Sequence, residues 1–95
     1  MRIIESILPQ TAQQAQAQLD AWRLLGDPEQ VVFIDIETTG FSPAHCQIYL
    51  IGCAYRKDNQ IYTEQFFAES KEEEELILSK FLELLSSFQT LISFN

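Results

Sequence analysis

Along residues 11–25, Ala12, Ala15, Leu19 and Trp22 recur at helical spacing while glutamines fill the other face, which predicts an amphipathic helix. Thr11 stands where an N-cap belongs, and Gly26-Asp27-Pro28 ends the pattern. The spacing then changes. Residues 31–37 and 47–55 are apolar on both faces, as strands in the middle of a covered sheet are, and Gly52 marks a bulge or a close backbone approach. Residues 61–67 are more polar, through Thr63, Glu64 and Gln65, and are expected at a sheet edge. Between the last two, RKDNQ carries hairpin chemistry at Asp58-Asn59.

A second helix follows. Ser70 and Glu73 have the spacing of a capping box, and the acidic run 72–75 complements the positive end of a helix dipole. Its apolar stripe is Leu78, Phe81, Leu82 and Leu85, widened by Ile77, Leu84 and Phe88. TLISFN, residues 90–95, reads as a strand reached through this crossover helix, and therefore parallel to a neighbour. The expected class is α/β: a three-stranded antiparallel meander, a crossover helix and a parallel strand. Residues 1–29 form an N-terminal helical segment. Residues 30–95 are expected to be the N-terminal part of a larger domain, since a sheet stopping at this strand would leave one face bare.

Composition supports one small globular unit. The 95 residues are 46% hydrophobic and 12% aromatic, and a chain of this size buries roughly 60–65% of its unfolded surface. No apolar stretch reaches the ~18 residues of a membrane span, and Glu5 and Pro9 interrupt any secretory signal in MRIIESILPQ. The expected location is therefore cytoplasmic, with Cys46 and Cys53 as reduced structural thiols and His45 as a loop or strand-edge residue. The formal charge is −8, about half of it from the 72–75 run. That balance lowers the expectation of a polyanionic partner, although a metal ion can bridge acids to phosphates.

One stretch changes the picture. In VVFIDIETTG, residues 31–40, two carboxylates end the most apolar run of the chain, and no Lys or Arg stands between Arg23 and Arg56. Residues two apart on a strand share a face, roughly 6.5–7 Å apart, so Asp35 and Glu37 project together. Buried and unpaired, two such acids would cost several kcal/mol. A divalent cation relieves that cost, and an all-oxygen pair favours Mg²⁺ or Mn²⁺ over Zn²⁺. A two-metal arrangement for phosphoryl displacement is one such site. The alternative is that both acids lie just beyond the core edge, solvated or capping the Thr38-Thr39-Gly40 turn.

The full string is more specific than the acid pair. FIDIETTG, followed in order by IYLIGCAY, QFFAE, an acidic helix start and LISFN, resembles the DEDD family of 3′–5′ exonucleases, of the ribonuclease H-like fold. Within it, the YprB-like branch is the most similar, over residues 31–95. The resemblance implies that Asp35 and Glu37 match the first exonuclease motif and ligate two Mg²⁺ or Mn²⁺ ions. It implies that the backbone of Thr38, Thr39 and Gly40 approaches the 3′-terminal nucleotide of a DNA or RNA partner, and that Phe41 wedges against the terminal base. Asn95 would stand just before the second motif. The remaining two acids and the general base of the family are not in this sequence, so the 95 residues alone are expected to be inactive as a nuclease.

Two other readings use the same residues. A haloacid-dehalogenase-like phosphatase has D-x-D-x-T after an apolar strand, which Asp35-x-Glu37-x-Thr39 nearly matches; the Glu and the following meander count against it. A non-catalytic ribonuclease H-like module would instead bind a partner through the Trp22 helix or the Phe41 loop.

Overall fold

The computed structural model describes residues 1–40 and 46–93. In chain order the elements are β1 (Arg2–Ile7), α1 (Ala12–Arg23), a 3₁₀ turn (Pro28–Gln30), β2 (Val31–Thr38), β3 (Ile48–Lys57), β4 (Gln60–Phe67), α2 (Lys71–Leu85) and β5 (Thr90–Ser93). The strands form one sheet in the order β1-β4-β3-β2-β5. β2, β3 and β4 are the expected antiparallel meander, and β5 returns parallel to β2, pairing Val31–Ile34 with Thr90–Ser93. The fold is thus α/β and ribonuclease H-like in plan.

Local chemistry explains the element boundaries. Thr11 and Gln14 form a reciprocal capping box on α1, at 3.1 and 2.9 Å. Gly26, at φ 122°, turns the chain out of that helix in a conformation that disfavours a side chain. Asp58 and Asn59 both have positive φ (51° and 65°), the requirement of a two-residue type I′ hairpin joining β3 to β4. On α2 only half of the expected capping box forms. Ser70 Oγ accepts from the Glu73 N–H at 3.3 Å, whereas the Glu73 carboxylate pairs with the Met1 ammonium. That hydrogen bond from the ammonium holds the Glu73 carboxyl below its usual range.

The strand at the N-terminus corrects one expectation. β1 pairs antiparallel with β4 from Arg2↔Phe67 to Ile7↔Tyr62, so β4 lies inside the sheet rather than at its edge. The polar residues of β4 have partners there: Thr63 shares a 2.5 Å hydroxyl contact with Ser6, and Glu64 accepts from Tyr55 Oη at 2.6 Å.

The two sheet faces differ. One carries Val32, Ile34, Ile51, Cys53 and Phe66, which pack under Ile77 and Phe81 of α2 to form the core. The α2 stripe is accordingly centred on Ile77 and Phe81, with Leu78, Leu84, Leu85 and Phe88 beside it. Leu82, expected in the stripe, is 64% exposed. On the other face, Val31, Arg56 and Ile61 are buried at one end. Trp22 of α1 packs there against Phe33, the rings tilted with centroids 4.9 Å apart. The indole that could have anchored a partner is engaged within the fold.

Candidate active site

Asp35 and Glu37 emerge on this second face, beyond the part that α1 covers. The alternation of β2 sends Val32 and Ile34 into the core and sends Val31, Phe33, Asp35 and Glu37 to the opposite side. Both carboxylates are exposed, as in the alternative that sets them solvated beyond the core edge rather than buried. Water solvates them, so no burial penalty demands a cation. Their common face and the lack of a basic partner remain: neither forms an ion pair with a described residue.

Their surroundings form an open depression of about 380 Å³, lined by Asp35, Glu37, Leu50, Gly52, Thr63 and Gln65 among others, Glu64 included. Across β3, Gly52 stands opposite Asp35 and Leu50 opposite Glu37. Gly52 is regularly paired; a Cβ there would meet the Asp35 carbonyl oxygen at 3.9 Å, an ordinary contact. Neither a bulge nor a close approach explains this glycine. The irregularity comes one step later, where the register shifts between Glu37 and Thr38. The pairing resumes one residue out of step, Thr38 with Ile48, so the irregularity sits directly beside the acids.

The turn that follows is tied by its own side chains. Thr38 Oγ1 donates to the Gly40 carbonyl at 2.9 Å. The Thr39 N–H donates to the Gln47 carbonyl at 2.9 Å, and Thr39 Oγ1 accepts from the Gln47 N–H at 3.0 Å. Thr39 is therefore occupied in holding the loop to the start of β3, and its N–H is not directed at a substrate. Phe41, His45 and Asn95 lie outside the described residues. β5 brings Ser93 opposite Ile34 and runs in the direction of β2, so both strands point to the acidic end of the sheet.

Among the described residues no group of three or more His, Cys, Asp or Glu side chains converges on one point. The donor set is two carboxylates. Hard oxygen ligands of this kind fit Mg²⁺ or Mn²⁺, which keep several waters and take one or two carboxylates plus substrate phosphates. The residues present thus fit as part of a metal site.

Cys53, next to Gly52 and on the core face, is not a nucleophile: burial, then the nearby Glu64 charge, pushes its thiol up to about 12. Tyr55 is raised above its ordinary value by burial first and then by its hydrogen bond to Glu64. The sequence reading missed the contribution of Thr63 and Gln65 to the depression. Their signal in the sequence is the polar run on β4, which reads as an edge feature.

Fold and site together define a class: a mixed α/β sheet with an acidic pair at the carboxyl end of a strand flanked by one antiparallel and one parallel neighbour. The RNase_H_2 family model, of the RNase H superfamily, matches residues 32–95, and the chain belongs to that superfamily. No curated protein and no solved structure matches it. Membership carries a nuclease-type, nucleic-acid-related function in general terms. It also removes the dehalogenase-like reading, as does the antiparallel β2–β3 pairing. No helix among the described residues is long and apolar enough to cross a membrane.

Proposed function

We propose that this chain carries the first-strand half of a metal-dependent 3′–5′ exonuclease site of the DEDD type, working in the cytoplasm on single-stranded DNA or RNA. The observation that carries the reading is the same-face pair Asp35 and Glu37, without an ion-pair partner among the described residues and open to solvent at the end of β2. These two residues would hold Mg²⁺ or Mn²⁺. Such an ion supplies an activated water and charge stabilisation at the leaving oxygen when bound.

The other roles belong to the chain itself. The bulge after Glu37 directs the Thr38-Thr39-Gly40 turn past the acids, where the backbone of Thr38 and Gly40 would position the terminal nucleotide. Phe41 would stack on the terminal base, and Asn95 would lead into the second motif. With two acids and no general base, the 95 residues alone are proposed to be inactive.

The test is metal dependence. Thermal unfolding is measured with and without millimolar Mn²⁺ for the wild type and Asp35→Asn. The reading expects a Mn²⁺-dependent rise in Tm that the substitution abolishes; an equal shift in both proteins, or none in either, would sink it. A chain continuing past Asn95 with the remaining acids should shorten a labelled single-stranded oligonucleotide from its 3′ end. It should lose that activity on Asp35→Ala or Glu37→Ala.

A further inference from the structure

Arg56 is 2% exposed, and among the described residues it is the buried charged side chain. Its Nη2 donates to Asn59 Oδ1 at 3.3 Å, and its guanidinium carbon lies 5.7 Å over the Trp22 ring. Among the described residues its Nη1 has no hydrogen-bond partner, and no described carboxylate forms an ion pair with it. A guanidinium withdrawn from water in this way is costly unless its donors are satisfied. A protein retains such a group most economically when something else completes its hydrogen bonds.

Two clefts open onto it. One, of about 290 Å³, is lined by Glu29, Arg56, Lys57, Ser87 and Phe88 among others. The second, of about 260 Å³, lies toward α1 and is lined by Arg23, Arg56 and Asn59, with Asp27 and Glu29 at its side. Three of the six basic residues of a chain with net charge −8 therefore gather around one buried guanidinium. Arg23 is ion-paired with Asp20, and Asp27 and Glu29 stand beside the second cleft, so the charges balance and what sets this place apart is the unsatisfied Nη1. Tyr55, the neighbour of Arg56, pairs with Val32 while Gly52 pairs with Asp35, so these clefts lie roughly 10–13 Å from Asp35 along the strands, toward the opposite end of the sheet.

We propose that the clefts at Arg56 form an anion site that takes a phosphate group, with the orphaned Nη1 donating to a phosphate oxygen and Lys57 adding charge from the rim. Arginine suits this role because its planar fork presents fixed donors to tetrahedral oxyanions. The phosphate comes either from a free phosphate compound or from the backbone of a nucleic-acid strand. Both present the same oxygens to Arg56. The site is independent of the carboxylate pair.

The experiment is calorimetric titration of the 95-residue chain at constant ionic strength, first with inorganic phosphate and then with a short oligothymidylate lacking terminal phosphates. Saturable binding of either one is expected. Arg56→Met should weaken it about ten- to a hundred-fold, the size of a lost charge-assisted hydrogen bond. Lys57→Gln, at an exposed position that does not threaten folding, should weaken it about two- to five-fold, and Glu29→Gln should strengthen it. Lys57→Gln should keep the Mn²⁺-dependent rise in Tm that tests the carboxylate pair, so a failure of the exonuclease reading is distinguishable from a failure here. Binding of inorganic phosphate identifies the free compound as a sufficient ligand; binding of the oligonucleotide alone identifies the backbone. Absence of saturable binding to both overturns the proposal. So does binding that Arg56→Met and Lys57→Gln leave unaltered. If Glu29→Gln lowers Tm sharply and neither ligand binds, Glu29 is the true partner of Arg56, which also overturns it.

Discussion

Asp35 and Gly52 are direct partners across β2 and β3, so the residue facing the first carboxylate on its own side of the sheet has no side chain. The depression beside Asp35 is open partly for that reason. Because a Cβ at position 52 would make only an ordinary 3.9 Å contact, the glycine is not required by the backbone. Its effect is on access to the acid.

Gly52→Ala is therefore expected to leave the fold intact and to raise stability by a few tenths of a kcal/mol up to about 1 kcal/mol, through the lost flexibility of the unfolded chain. Gly52→Leu should fold as well but fill the space beside Asp35. Thermal unfolding of both variants with and without Mn²⁺ checks this. The expected outcome is a retained metal response for alanine and a diminished one for leucine, at similar metal-free Tm.

The core under α2 gives a contrast between two residues of one helix. Ile77 is fully buried and Leu82 is 64% exposed. Ile77→Ala should cost about 2–5 kcal/mol, as for other large-to-small changes in packed interiors. Leu82→Ala should lie within about 0.5 kcal/mol of wild type. Urea denaturation of the two variants decides it, and equal losses would mean that α2 docks by a different face.

Alkali should unfold this protein in a defined window. Burial pushes the Cys53 thiol up to about 12 from its ordinary 9.0, and Tyr55 is raised in the same direction. Both are neutral acids whose folded form holds its proton more tightly, so the unfolded chain releases protons first as pH rises. Stability is then fully present below about pH 9 and declines between about 9 and 12. Tyr55→Phe removes the 2.6 Å hydrogen bond to Glu64 and should cost about 1–2 kcal/mol at neutral pH. It should also soften the alkaline decline, as a pH series of urea midpoints would show.

How much of this was legible in the sequence follows from where each signal comes from. The meander, the crossover helix and β5 were readable because Val32, Ile34, Ile51 and Ile77 are buried through local periodicity. Asp58-Asn59 also states its turn type outright. β1 was not readable. All six of its residues are exposed, so its apolar positions do not separate into an inner and an outer face. It is held by its backbone pairing with β4 and by the Ser6–Thr63 contact, neither of which leaves a pattern in sequence. The shared face of Asp35 and Glu37 followed from a spacing of two, but their exposure did not. It depends on how far α1 reaches over the sheet, and the helix covers Phe33 and stops short of Asp35. Arg56 was hidden for a similar reason: a cation at the end of an apolar run reads as the start of a turn, and only Trp22 above it makes it buried.

That covering contact leads to the last prediction. Trp22 is the single tryptophan of the chain, tilted at 53° on Phe33 and lying over the Arg56 guanidinium. It is half-buried, so Trp22→Ala should cost less than the roughly 3–5 kcal/mol of a fully buried aromatic, about 2 kcal/mol. Part of that loss is the cation–π contact, worth about 1 kcal/mol when partly desolvated. Trp22→Phe keeps a ring on Phe33 and over Arg56 and should recover more than half of the difference. Urea denaturation followed by far-ultraviolet circular dichroism measures both variants without relying on the indole they lack. In the wild type, Trp22 fluorescence should report the same midpoint, because α1 is docked on the sheet by this ring. A fluorescence transition well below the dichroism transition would mean that α1 leaves the sheet before the core opens. The covering of Arg56 would then be a weaker feature than the packing of α2.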